Sequence, residues 1–210
     1  MKRRTLQPEQ IIVPGEYELG NESIFKIYFR IFDKGYGDCL PPVIVIGLGD
    51  DKDKLISWLE NVLSSEHLTK YQKYVEARRK DYQTLFSILK ESPYMLVDGN
   101  HRSAAATLTS QPISTMELQT DKDFERINKM IKAGDLFDFK RGENSPYNLK
   151  RSFLAYCLYL NPVRDDGNFT IPLSNTSVLR YTKTIKQRID ELTSNGDLPQ
   201  YMKDRYLRCR

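Results

Sequence analysis

The sequence predicts an α+β fold: a small mixed sheet with flanking helices, a helical insertion and a helical C-terminal extension. Three observations carry that expectation. Val43–Ile46 and Tyr94–Val97 are short apolar runs that give way to Gly and Asp, the length and punctuation of buried strands. Between them, from about Asp50 to Lys90, apolar residues recur at spacings of three and four over a stretch too long for a strand. Beyond Gly134 the helical spacing returns with no further strand pattern. A chain of 210 residues has room for one moderate domain, expected over residues 1–134 with its insertion at about 50–92, and for the extension over 135–210.

The elements follow in chain order. Gln10–Val13 is a β-branched run stopped by Pro14-Gly15 and reads as the first strand. In "ESIFKIYFRIFDKG", Ile24, Ile27, Tyr28 and Ile31 share one helical face, which predicts a helix that buries them. Gly35–Pro42 is a loop, and Val43–Ile46 the strand after it. Asp50-Asp51 cap a helix with an apolar stripe at Leu55, Trp58, Leu59, Val62 and Leu63, and a second helix runs from about Glu66 to Lys90. Tyr94–Val97 is the next strand, with the phosphate turn after it expected at the edge of the sheet, a helix spans about His101 to Thr109, and Ile113–Leu118 is another strand. "DKDFERINKMIKAG" predicts a helix ended by Gly134, and Leu149–Leu160 and Val178–Thr193 two more.

Composition excludes whole classes. A hydrophobic fraction of 40% with 13 tyrosines is enough for a core and rules out a disordered chain. No window approaches eighteen consecutive apolar residues, and "MKRRTLQPEQ" lacks the apolar centre of a secretory leader. The expectation is a cytoplasmic protein without a membrane partner. Cys39, Cys157 and Cys209 match neither a disulfide framework nor a zinc pattern, so free thiols and no protein-held metal are expected. From Ser145 to Arg210, 11 Lys and Arg stand against 6 Asp and Glu, which puts all of the net charge of +4 in the C-terminal third. Such an excess is either a surface for nucleic-acid phosphates or a solvated helical face.

The chemistry concentrates in "YMLVDGNHRSAAATL", residues 94–108. A strand that runs through a Gly turn into a helix leaves backbone N–H groups at the helix start without intrahelical acceptors, where the helix dipole favours negative charge. His101 and Arg102 add a polarisable donor and a multidentate cation on that first turn, a combination suited to phosphate oxygens. Gly99, Asn100, His101, Arg102 and Ser103 are therefore the expected phosphate-binding residues.

"LVDGNHRSAAA" resembles the signature of the ParB/sulfiredoxin superfamily, in which a strand ends in a Gly-containing turn and a helix opens with His-Arg or Arg-Arg before small residues. "IIVPGE" resembles its opening strand, "GDCLPPVIVIG" its Gly-containing loop and following strand, and "PISTMELQTDKDFERI" its later strand and helix. The resemblance spans about Gln10 to Ala133, interrupted by the helical insertion.

The resemblance implies a nucleotide ligand, ATP, ADP or CTP, with or without Mg²⁺. Sulfiredoxin-type repair needs a Cys directly before His-Arg, and Asn100 in that place excludes it. The motif is most similar to that of the free-serine kinases, which implies transfer or hydrolysis of a phosphoryl group with a small hydroxyl-bearing acceptor such as serine. In that reading Glu16 accepts the hydroxyl proton, Asp98 orients the acceptor or metal, and His101 stabilises the transferring charge. The alternative implied by the same superfamily is a ParB-like DNA-binding or nuclease protein whose basic C-terminal region contacts DNA.

Overall fold

The apolar runs of the sequence meet in one mixed sheet. The computed structural model describes residues 1–13, 17, 19–48, 87–88, 91–133, 163–165, 168–170 and 183–209. Its strands are β1 (Lys2–Leu6), β2 (Ile11–Val13), β3 (Val43–Gly47), β4 (Tyr94–Asp98), β5 (Ile113–Leu118), β6 (Val163–Asp165), β7 (Asn168–Thr170) and β8 (Lys183–Thr184). Six of them form a sheet in the order β1-β5-β3-β4-β2-β8, and β6 and β7 pair as a separate antiparallel hairpin. Within the sheet β2 runs parallel to β4 and β3 parallel to β5, while β3 and β4 are antiparallel neighbours with a register shift at Ile44/Val45. The described helices are α1 (Glu22–Asp33), α2 (Asn100–Leu108), α3 (Asp121–Lys132), α4 (Ile185–Asn195) and α5 (Gln200–Arg208). The architecture is thus α+β, as the sequence predicts, and the runs Val43–Ile46 and Tyr94–Val97 share one sheet.

β4 lies inside the sheet, between β3 and β2, and two strands without a sequence signal hold the edges. β1 reads "KRRTL" and needs no apolar alternation, since an edge strand can leave Lys2 and Arg3 in water. Arg4 of β1 pairs with Glu117, a buried carboxylate of β5, and stacks over the Tyr94 ring at 5.9 Å. The basic edge strand thus neutralises an acid that the sheet would otherwise bury alone. β8, on the other edge, has only two residues and pairs antiparallel with β2.

α1 forms where the sequence predicts it but centres its buried face on the neighbouring stripe, leaving Ile24, Tyr28 and Ile31 half-buried. Asn21 caps it, its Oδ1 accepting the Ile24 N–H at 3.0 Å, and Phe25, Phe29 and Phe32 go inward while Ile27 stays 54% exposed. Two apolar stripes share this helix, and three phenyl rings carry more area into the core than the isoleucine stripe does. α2 is buried from Ser103 to Leu108 and packs against α1, α4 and α5. The small Ala104, Ala105 and Ala106 side chains, each fully buried, let that many elements approach one helix.

α4 begins at Ile185, where Thr184 and Gln187 exchange side-chain bonds to each other's backbone N–H at 3.1 and 2.9 Å, a capping box that fixes the start. The sequence expected this helix from Val178, but Lys183 and Thr184 are taken by the pairing with β2. Ile185 and Ile189 of the expected stripe are fully buried. Residues 183–209, expected as part of an extension, supply an edge strand and two helices to the same body, with Arg205 of α5 paired to Asp33 of α1 at 2.7 Å. The expected insertion helices, apart from 87–88 and 91, and the expected helix Leu149–Leu160 lie outside the described residues. Among the described residues no helix is long and apolar enough to cross a membrane.

Candidate functional site

Because β2 and β4 are hydrogen-bonded neighbours running in the same direction, with Ile11 opposite Tyr94 and Ile12 opposite Met95, their C-terminal ends open on the same side of the sheet. In open α/β sheets the crevice outside such strand ends is where ligands bind. The β2–α1 connection leaves from one end and the Asp98-Gly99 turn from the other. Gly99 makes the turn with φ +107°, and a Cβ placed there would lie 2.6 Å from Cγ1 of Val43 and 3.3 Å from Nη2 of Arg102. Only glycine meets both demands.

Each expected site residue can now be placed. Arg102 is 13% exposed and donates through Nη1 to the carbonyls of Pro41 and Pro42, at 2.6 and 3.0 Å, and through Nη2 to Oδ2 of Asp98 at 2.7 Å. Its guanidinium clamps the loop before β3 to the turn after β4. Asp98, 38% exposed, is the acidic half of that clamp. Ser103, expected to offer a donor to the ligand, points inward instead: its hydroxyl is buried, 3.0 Å from the Asn100 carbonyl, and its own N–H bonds to Gly99 O at 2.9 Å.

His101 is half-buried. Its Nε2 accepts the Asn21 N–H at 3.3 Å, so the α2 first turn touches the N-terminus of α1, and its ring meets Phe25 edge-on at 6.1 Å. Burial lowers the imidazole pKa from 6.5, the Arg102 charge lowers it further, and Asp98 opposes both. The ring is held neutral, and the acceptor role of Nε2 leaves its proton on Nδ1.

Tyr17 is a site residue that sequence reasoning missed. It is buried, its hydroxyl donates to the Asn100 carbonyl at 2.7 Å and lies 2.6 Å from Oγ of Ser103, and burial pushes its pKa upward. No periodicity marks it, because it belongs to the loop after β2. The Pro41 and Pro42 carbonyls were equally invisible, since main-chain acceptors have no sequence signature. Glu16, the expected base, lies outside the described residues.

Among the described residues no group of three His, Cys, Asp or Glu side chains could hold a metal ion. Mg²⁺ that travels with a nucleotide needs only one or two carboxylates beside the phosphates, and Asp98 is the carboxylate of this turn. Four bases of the described C-terminal segment have internal side-chain partners. Lys183 and Arg188 pair with Glu191, Arg205 pairs with Asp33, and Lys186 donates to the Tyr206 hydroxyl at 3.2 Å. No family model, curated protein or solved structure matches the chain.

Proposed function

We propose that this chain is a nucleotide-binding protein of ParB/sulfiredoxin-like fold that transfers or hydrolyses a phosphoryl group, with the Asp98–Ser103 turn holding the phosphates. The observation that carries the reading is the parallel pairing of β2 with β4. It supports bringing together two segments far apart in sequence, the one that follows β2 and the "DGNHR" turn, and the hydrogen bond from Tyr17 to Asn100 joins them.

The roles follow from the chemistry. N–H groups of the α2 first turn and the helix dipole favour the phosphate oxygens. The Asn100 main chain and the His101 side chain lie on that turn, while Arg102 fixes its shape through Asp98 and the two prolyl carbonyls. In transfer, a small hydroxyl-bearing acceptor, serine being the first candidate, forms a new O–P bond as the bond to the nucleotide breaks, and Glu16 takes the hydroxyl proton. In hydrolysis water replaces the acceptor. Mg²⁺, when bound with the nucleotide, neutralises charge on the phosphates. Among the described residues, the internal pairing of Lys183, Arg188 and Arg205 favours this reading over the DNA-binding one.

Calorimetry with ATP, ADP and CTP on the wild-type protein and on His101→Ala tests the binding step. Binding that the substitution weakens is expected, and no binding of any of the three ends the reading. A single-turnover assay with amino acids and sugars then tests the chemistry beside Glu16→Ala. If nucleotide binds but nothing is phosphorylated or hydrolysed, and Glu16→Ala changes nothing, the protein is a nucleotide-dependent binding module.

A further inference from the structure

We infer that Tyr17 is a positioning residue: its hydroxyl tethers the β2–α1 connection to the first turn of α2 and sets the shape of the nucleotide site from outside it. The consequence for ligand rests on the nucleotide reading, but the tether itself does not.

Three features separate a tether from plain core filling. A phenyl ring would fill the same space, yet this side chain carries a hydroxyl into a buried position and satisfies it across 83 residues of sequence, on the Asn100 carbonyl. That carbonyl belongs to the first residue of α2, where helix geometry already supplies an intrahelical donor, so the helix does not need the extra bond. The Ser103 hydroxyl closes the group, 2.6 Å from the Tyr17 oxygen and 3.0 Å from the same carbonyl. Two hydroxyl protons serve three contacts, so the three atoms act as one unit.

A second contact repeats the arrangement on the same connection. Asn21, four residues further along, donates its N–H to His101 Nε2 on the same helical turn. Tyr17 and Asn21 thus bracket a short segment held to α2 at both of its ends. His101 presents a titratable, half-buried acceptor at 3.3 Å in an exposed bond, whereas buried Tyr17 makes the shorter, part-buried bond of 2.7 Å. Tyr17 is the stronger of the two anchors.

The test is Tyr17→Phe, which keeps the ring and deletes the tether. Hydrogen–deuterium exchange of the ligand-free protein is expected to be about tenfold faster in peptides covering residues 17–21 and 99–103, with β3 and α3 unchanged. Unchanged exchange, a rise in only one of the two segments, or an equal rise across the sheet would overturn the inference. Ser103→Ala provides the second variant should Tyr17→Phe fold poorly: a smaller rise in the same two segments is expected, and none would overturn the three-atom unit. ATP affinity of Tyr17→Phe is expected to fall about tenfold. Affinity unchanged beside locally faster exchange would overturn the positioning role. A wild-type protein that binds no nucleotide would end the functional reading, and the exchange pattern would still decide the tether.

Discussion

Replacing Arg102 by Ala removes three hydrogen bonds at once, and their surroundings set the cost. The donors belong to a cation that is only 13% exposed, and the acceptors are the Pro41 and Pro42 carbonyls and the Asp98 carboxylate. A hydrogen bond to a charged group contributes about 1.5–3 kcal/mol. Simple addition overestimates the loss, because Pro41 is exposed and Asp98 is 38% exposed, so both acceptors regain water. Breaking a fully buried pair costs about 3–5 kcal/mol, and the partial exposure here brings the expected loss to about 2–4 kcal/mol. Arg102→Lys should recover little of it, since one ammonium cannot span three acceptors on two loops. Arg102→Met keeps the aliphatic stem and should fall near Ala if the bonds matter more than the packing. Urea unfolding at fixed pH reads the difference as a shift in midpoint at constant slope. A loss below about 0.5 kcal/mol in Arg102→Ala, together with weaker nucleotide binding, would refute the clamp and make the guanidinium a direct ligand contact.

Two further perturbations probe the same turn. Gly99→Ala should cost about 1–2 kcal/mol for the positive φ and about 1–3 kcal/mol for the clash with Cγ1 and Cβ of Val43, and adding Val43→Ala, which removes Cγ1 but keeps the Cβ 2.8 Å away, should return only part of the second cost. Urea midpoints of the two singles and the double check it, and strict additivity would show that Cγ1 of Val43 is not what excludes a side chain. The lowered His101 pKa means that the unfolded chain binds a proton more readily than the folded one, so this contribution is present above pH 6.5 and is lost as pH falls through the folded pKa. The midpoint of His101→Gln measured against pH should fall less steeply below 6.5 than wild type, and parallel curves would show that the imidazole is not protonated at a cost to the fold.

What the sequence made legible were elements that announce themselves locally. β3, β4 and β5 are apolar runs bounded by turn residues, α2 follows a Gly turn, and each forms within a residue or two of its expected limits. α1 was found, but its inward face was not, because its isoleucine stripe and its phenylalanine stripe have equivalent spacing and only the packing partner decides between them. β1 and β8 were missed for different reasons. β1 is held by main-chain pairing and by Arg4 on Glu117, and β8 is two residues long. Neither carries a pattern, since edge strands take their stability from the neighbour they meet. In the site, the Gly turn was readable from residue types, whereas the use of Arg102 and Ser103 was not. Both were expected to face a ligand, and both serve the protein itself.

That inward use bears on how the turn could work. A first helical turn that must receive phosphate gains most when its amides are already fixed in place, because no reorganisation is then needed as charge arrives. Here Gly99 sets the entry angle, Arg102 ties the turn to the loop before β3, Tyr17 and Asn21 tie it to the β2–α1 connection, and α4 and α5 pack on the helix that follows. The side chains that looked like ligands by type therefore contribute more by holding backbone in position than by reaching outward. Of the polar side chains that the motif supplied, His101 keeps a half-buried ring and a weak hydrogen bond of 3.3 Å, the contact that costs least to exchange for an anion. An anion drawn to that ring favours its protonated form, and a protonated ring cannot accept from Asn21. If an anion binds at the turn, its binding and the release of the Asn21 N–H lie on the same side of one equilibrium, with the Tyr17 bond to Asn100 independent of the imidazole's charge.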